Sequence, residues 1–559
     1  MQTLRRTAAV LIFPAIAYLG AACERTDTPT EARRPTGAFL LSNDPTTRWV
    51  NDDDPNGGGY AFPDPGTSCE NPGYQKIQEA VNAAAAGDRI NVCPGTYIEQ
   101  VTIPVSRPAS AKDNIQLRSV GHWQAVIKAP TVMTPHNGKF IIVRIAGAQN
   151  VTILAFTITG PGPGPCGSLH YGVRVDNGGS GNILGNHITD IRDLYDPITG
   201  ELSGCQNGMG VLAGHHFRDL DPPFVDPTIG SAKVEGNLVE HYQKNGIVVG
   251  GAGSSALIAA NRVFGFGSSP TIGQNGIEAI LDATAEVKHN FVSGHIYTGP
   301  MPVTATGGLL SEAGTVDFNH NTLAHNDVDV YGSGSSAPSS LTHNRTRGST
   351  FDGIVVDATN DATVGENRSE QNGGAGIGLY EGASTNTIEN NQVESNSTNF
   401  SSTDCVNLFP LSCFGGGILL DDASSNIVRG NHVRNNGTAN TPENTDGIRV
   451  NFPSTGNTIQ GNHLRGNVTY DCRDASAGNM WVDNRGQTSS PAGLCDPDPQ
   501  DAFVVEAGWD PSYPWYSSYD GLATDYDWPS LYSAIDAQIQ GLLDLLPQLG
   551  VGGVRRPSP

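Results

Sequence analysis

From about residue 114 to the 480s the chain alternates short apolar runs with turns rich in Asn and Gly, and the alternation repeats. One unit reads NIVRGNHVRNNG at 426–437, with relatives at 182 (NILGNHI), 232 (AKVEGNLV), 256 (ALIAANRV), 386 (NTIENNQV) and 457 (NTIQGNHL). The pattern apolar-x-x-Asn-x-apolar places an Asn at 186, 237, 261, 290, 321, 344, 367, 391, 431, 462 and 484. The shorter spacings lie near 23 residues, and longer ones read as the same unit carrying an insertion. Upstream of most of these Asn stands a second run: YGVRVD at 171, NGIVVG at 245, DGIVVD at 352, AGIGLY at 375, GGILLD at 416 and DGIRVN at 446. Alternation with period two predicts short strands, and no helical run separates them. The Asn-Gly pairs are not placed for hairpins. A coil of parallel strands fits, each turn stacking its Ile and Val on the next about 4.8 Å away, and such a coil grows by units rather than by cores.

The recurring Asn reads as architecture. At a turn repeated on every rung it takes left-handed geometry and bonds its amide to the Asn above and below, satisfying polar groups that strand pairing leaves over. The N-x-[ST] sequences at 344, 367 and 467 follow from Asn-rich turns by chance. Ahead of the repeat, Ile77, Ala80, Val81 and Ala84 share one helical face and Gly87 stops the helix. INVCPGTY and EQVTI follow as strands, and a helix there covers an open sheet end. After the repeat, Trp509, Trp515 and Trp528 stand among Tyr513, Tyr516, Tyr519 and Tyr526, before a helical face of Leu531, Ile535, Ile539 and Leu542. This tail reads as a cap over the last rung, with a sugar-stacking platform as the alternative.

The N-terminus adds a destination. MQTLRR is a positive n-region, and AAVLIFPAIAYLGAA is an apolar stretch ending in small residues before Cys23. LGAAC resembles the bacterial lipoprotein box that lipidates its Cys, although Leu19 stands one position too far upstream; an ordinary secretory signal is the alternative. Export is expected either way, to the periplasm, the cell surface or an outer-membrane anchor. Nine Cys less Cys23 leave eight, which fall as neighbours: Cys69 and Cys93, Cys166 and Cys205, Cys405 and Cys413, Cys472 and Cys495. Local disulfides in an oxidising compartment are the simplest reading, and no C-x-x-C spacing suggests zinc. The net charge of −24 speaks against nucleic acid and repels anionic polymers unless a basic patch or bound cations intervene. A monomer is expected.

IQEAVNAAAAGDRINVCPGTYIEQVTI resembles the opening rungs of the right-handed parallel β-helix superfamily, the pectate-lyase-like fold. The GIxV…NxIxxNxV units resemble its short β-helix repeats, including those of the periplasmic copper-binding maturation proteins of nitrous oxide reductase. NMWVDNRGQTSSPAGLC, 479–495, resembles a closing rung. The resemblance implies an all-β solenoid, a right-handed parallel β-helix over 47–496 with an N-terminal capping helix. It follows a signal peptide (1–23) and a flexible tether (24–46), and precedes an aromatic and helical C-terminal tail (497–559). The fold hosts lyases, hydrolases, epimerases and adhesins, so it does not name an activity.

Enzymes of that superfamily bind sugar chains along one outer sheet walled by insertions. The outward column of the GIxV strands is expected to read Arg174, Gly210, Val248, Glu278, Leu310, Val355, Gly378, Leu419 and Arg449, and the next one to carry Asp176, Gly250, Glu312, Asp357, Asp421 and Asn451. Insertions at 188–208 and 213–230 crowd the early rungs, bringing His215, His216, Arg218, Asp219 and Asp221 beside the strand GMGVL, while Gly210 and Gly250 would leave room for a polymer. A uronide lyase or epimerase needs a base and a cation on the carboxylate. His215 or Arg218 suits the first role, and Arg174, or a Ca²⁺ held by Asp176 and Asp219, suits the second. A hydrolase would use two carboxylates among Asp219, Asp221 and Glu278. A merely solvated polar loop is the competing reading, and a non-catalytic polysaccharide binder or adhesin the competing function. The DPHE motif of alginate epimerases and the paired Asp of polygalacturonases are absent. DDDPNG (52–57) holds half a calcium loop, but Pro63 stands where the bidentate Glu belongs. His289 and His320 are scattered on the Asn side, and His187, His432 and His463 follow ladder Asn on rungs that are not all adjacent; copper delivery would need clustered His or Met.

Overall fold

The computed structural model describes residues 45–53, 65–105, 112–300, 303–334, 339–398, 415–438 and 445–497. Each turn of the chain lays down a strand in each of three sheets, as in Tyr171–Asp176, Gly179–Leu184 and His187–Thr189, then Met209–Gly214, Gly230–Glu235 and Leu238–Glu240 one rung on. Successive rungs pair in parallel. The sheet of the GIxV strands has 14 strands, the next 15 and the last 13, called here the first, second and third sheets. Inside, Val173, Val211, Ile247 and Ile277 stack from the first sheet, Ile183, Val234, Ile258 and Val287 from the second, and Ile188, Val239, Val263 and Val292 from the third, all essentially unexposed. Each contributes roughly 1.5–3 kcal/mol of burial. The expected all-β parallel coil is the observed one.

The Asn pattern forms hydrogen-bonded columns. From Asn186 through Asn237, Asn261, Asn290, Asn321, Asn344, Asn367, Asn391, Asn431 and Asn462 to Asn484, each side-chain NH₂ donates to the Oδ1 of the next Asn. Each NH₂ also donates to a main-chain carbonyl of the previous rung, as Asn321 does to Val287 O at 2.9 Å. The ladder Asn are not left-handed; the residue before each one is, from Gly185 (φ 57°) and Gly236 (φ 66°) to His289 (φ 56°) and Asn390 (φ 55°). That residue turns the corner and leaves the Asn free to point inward. Two further columns run Asn386–Asn426–Asn457–Asn479 and Asn372–Asn396–Asn436–Asn467. Their last amides donate to the carboxylates of Asp474 (3.3 Å) and Asp471 (2.9 Å).

The N-terminal helix, Ile77–Ala83, buries Ile77, Ala80 and Val81, and Glu99 accepts from the free N–H groups of Ile77 (2.8 Å) and Gln78 (3.0 Å) at its start. A strand that the sequence pattern did not announce, Thr47–Val50, precedes it and pairs with Arg89–Val92. Disulfides join Cys69 to Cys93, Cys166 to Cys205 and Cys472 to Cys495, while Cys405 and Cys413 lie outside the described residues. So do the leader with Cys23, the tether up to residue 44, Asp54 to Pro63, and the aromatic tail beyond 497.

Register corrects the outward column. Arg174 pairs with Leu212, not Gly210, and Glu278 with Leu309, not Leu310; Arg144 stands one rung before Arg174, and Tyr331 follows Leu309. In the next column Ser311, rather than Glu312, pairs with Ile280. Gly210 serves close packing instead of an open floor, because a Cβ there would lie 2.6 Å from Gly246 O. A Cβ on Gly250 would lie 2.1 Å from His215 O.

Candidate functional site

Outward-facing Arg174 is wholly buried, because the segment 213–230 folds back over the first sheet. Gly214 (φ 89°) lets the chain leave the strand, and a single 3-10 turn at Phe217–Asp219 delivers Asp219 over the sheet. There the Arg174 guanidinium meets Asp226 (3.0 Å), Asp176 (3.2 Å) and Asp219 (3.5 Å), and lies over the Tyr171 ring. Arg144 grips both oxygens of Asp176 at 3.0 and 2.9 Å. The Tyr171 hydroxyl donates to Asp219 at 2.5 Å, and Lys139 reaches Asp219 (3.5 Å) while donating to Arg218 O (2.6 Å). Burial would raise the Asp219 carboxyl, but Arg174, the Tyr171 hydroxyl, the His216 N–H and Lys139 hold it below the usual range. Burial also pushes the Tyr171 hydroxyl well up, with Asp219 adding to the shift.

The other candidates are not drawn to this point. His215 turns its Nδ1 to Thr228 O at 2.7 Å and packs on Gly251, with no hydrogen bond or ion pair to Arg174 among the described residues. Arg218 is half exposed and pairs with exposed Asp221 at 3.3 Å. Glu278, 2 % exposed, faces His216 (3.6 Å), so the second His of the pair, not His215, meets the sheet. Tyr171, Arg144, Lys139 and Asp226 were not singled out from the sequence. Arg144 could have been, since IIVRIA repeats the phase of YGVRVD one rung earlier; Asp226 lies in an insertion without periodicity.

The arrangement is a clasp. Three carboxylates and three cations neutralise one another under cover, leaving Arg174 engaged. Donor atoms of His136, Asp176 and Asp226 lie within 4.8 Å of one another, but Arg144 and Arg174 already supply cationic charge to those carboxylates, as Arg174 does between Asp176 and Asp219, the pair considered for Ca²⁺. Asp52 of the half calcium loop accepts from Thr96 N at 2.9 Å.

The outer face of the third sheet is more open. His187, Leu238, Arg262 and Phe291 are register partners on successive rungs, all partly exposed. Trp123 packs on His187 (5.0 Å), Phe264 on Phe291 (5.7 Å) and Tyr195 on Phe266 (5.9 Å), while Arg192 lies 3.6 Å over Tyr195. A register shift between Phe264 and Gly267 bends the long strand Arg262–Ser269, re-aiming its side chains. The second sheet carries a shallow open groove of about 500 Å³ past Asn182, Lys233, Leu257, Glu286 and Asp317.

A family described as "Right handed beta helix region" matches residues 224–409 and 340–485. Together with the observed coil, this identifies the fold as a right-handed parallel β-helix. No curated protein matches the sequence. Among solved structures, the chain is similar to the A-module of a mannuronan C-5 epimerase of Azotobacter vinelandii, with 16 % identity, TM-score 0.40, and 74 % of this chain and 94 % of that one covered. It is also similar to the Dettilon tailspike protein (15 %, 0.38, 73 % and 66 %). A DFA-IIIase of Arthrobacter chlorophenolicus A6 compares likewise (13 %, 0.38, 74 % and 93 %).

Proposed function

We propose that the protein is an exported, lipid-anchored β-helix that binds polysaccharide without cleaving it, along the outer face of the third sheet. The supporting observation is the partly exposed row His187–Leu238–Arg262–Phe291 with Trp123, Phe264, Phe266 and Tyr195 around it. From the strand Ala125–Lys128 to Phe291–Tyr297 this face crosses successive rungs spaced about 4.8 Å apart, suiting an extended polymer whose sugar rings lie against aromatic faces. Its charges are largely paired, Arg192 with Asp190 (3.0 Å) and His187 with Glu240 (2.8 Å), and the whole chain carries −24, so a neutral glycan fits better than a polyuronate. The leader ending at Cys23 and the disulfides agree with an oxidising compartment and an anchor. A lyase or epimerase would have to bring a uronide to Arg174, and the cover of 213–230 favours the binder.

The test titrates the mature chain with neutral glycans (xylan, dextran, β-glucan) and with pectate and alginate, following binding by calorimetry and unsaturated uronide by ultraviolet absorbance. Binding of a neutral glycan, weakened roughly five-fold by Phe264→Ala or Trp123→Ala, is expected, as is a flat absorbance trace. A rise in absorbance abolished by Arg174→Ala would replace the binder with a lyase.

A further inference from the structure

The left-handed corner before each ladder Asn is filled along the coil by Gly185, Gly236, Ala260, His289, His320, His343, Glu366, Asn390, Gly430 and Gly461. Small or flexible residues suit this corner, yet three consecutive rungs carry His and the next carries Glu. All four side chains are exposed at the edge between the second and third sheets. The rings of His289 and His320 lie 5.2 Å apart, and those of His320 and His343 lie 4.6 Å apart and 5° from parallel. The His343 Nε2 meets the Glu366 carboxylate at 2.7 Å.

We propose that this row is a binding site for one late first-row divalent ion (Zn²⁺, Cu²⁺ or Ni²⁺), held by His320, His343 and Glu366. Imidazole and carboxylate donors are the set such ions take. Metal–nitrogen bonds of about 2.0–2.1 Å in a tetrahedral site put neighbouring donors about 3.3 Å apart. Side chains on neighbouring rungs, about 4.8 Å apart, must therefore lean together by about 1.5 Å, and His320 and Glu366, two rungs apart, by about 6 Å, which exposed side chains of this length reach by turning about their side-chain bonds. The ion takes the place of the proton between His343 and Glu366.

The experiment uses the untagged mature chain titrated with Zn²⁺, Ni²⁺ and Cu²⁺ by calorimetry, with Cu²⁺ also followed by electron paramagnetic resonance. Asn stands at the same corner at 390, so His320→Asn and His343→Asn keep the turn while removing the ligand. One ion per chain is expected, with imidazole nitrogen couplings on Cu²⁺. Each Asn variant should bind at least ten-fold more weakly, and His136→Asn, which alters the cluster of His136, Asp176 and Asp226, should bind as the parent does. No binding by the parent chain, binding indifferent to both Asn variants, or binding lost through His136→Asn would each overturn the proposal.

Discussion

Asn321 shows what one repeated residue does. Its Oδ1 accepts from the main-chain N–H (3.0 Å) and the amide (2.9 Å) of Asn290, and its NH₂ serves Val287 O and Asn344. Asn321→Ala strands these partners inside the wall, so urea unfolding should register a loss of about 2–4 kcal/mol, against at most about 0.5 kcal/mol for exposed Asp317→Ala. The ladder was legible in the sequence because spacing and residue type recur; the left-handed corner was assigned one residue too late, since Gly, Ala, His, Glu and Asn all fill it. No pattern marked Asp329. Wholly buried, it accepts from Asn326 Nδ2 and Arg347 N, both at 2.8 Å, and burial pushes its carboxyl up to about 8 from 3.8. A raised acid stabilises the fold in its protonated form, fully below the unfolded value of 3.8, and that contribution disappears as pH rises through about 8. Melting temperature should therefore fall between pH 6 and pH 9, and Asp329→Asn should flatten the fall. His295 works at the other end: burial lowers it to about 4, so its contribution is present above 6.5 and fades as pH drops through about 4.

Among elements, the insertion 213–230 is a clasp whose fastening is Arg174. Arg174→Met leaves Asp176, Asp219 and Asp226 without their shared cation, a change costing about 3–5 kcal/mol at a buried pair. Trypsin should then cut after Arg218 more than ten-fold faster than in the parent, while the strands below remain protected; an unchanged cleavage rate would show that the guanidinium does not hold the loop. The sequence pointed to this crowded place because insertions and charges coincide there. It did not tell a covered network from an open groove, because closure depends on how 213–230 turns back at Gly214 and Phe217, and nothing periodic marks that path. Phasing failed where aliphatic residues gave way to glycine. At Gly308 the inward position is empty and Phe318 fills the space, its ring 3.1 Å from where a Cβ would stand, so neighbouring Leu309 and Leu310 exchanged faces in the reading.

At the scale of the molecule the unit of construction is a rung. Excising residues 368–391 removes one Asn-to-Asn interval of 24 and brings Gln392 directly after Asn367, in phase with the sheets. The shortened chain should fold with an unchanged circular dichroism shape and a cooperative melt, whereas removing half that interval should not. The three Asn columns have a further consequence. In each column the side-chain Oδ1 accepts from the preceding rung while one N–H donates to the following one, so the amide dipoles share a component along the axis, where parallel strands contribute little net dipole of their own. The coil thereby acquires a positive pole at its C-terminal end, as a helix has at its N-terminus, and Asp471 and Asp474 receive the last amides there as acidic residues cap a helix. The two ends of the solenoid are thus electrically unlike, and a cap made for one would not serve the other.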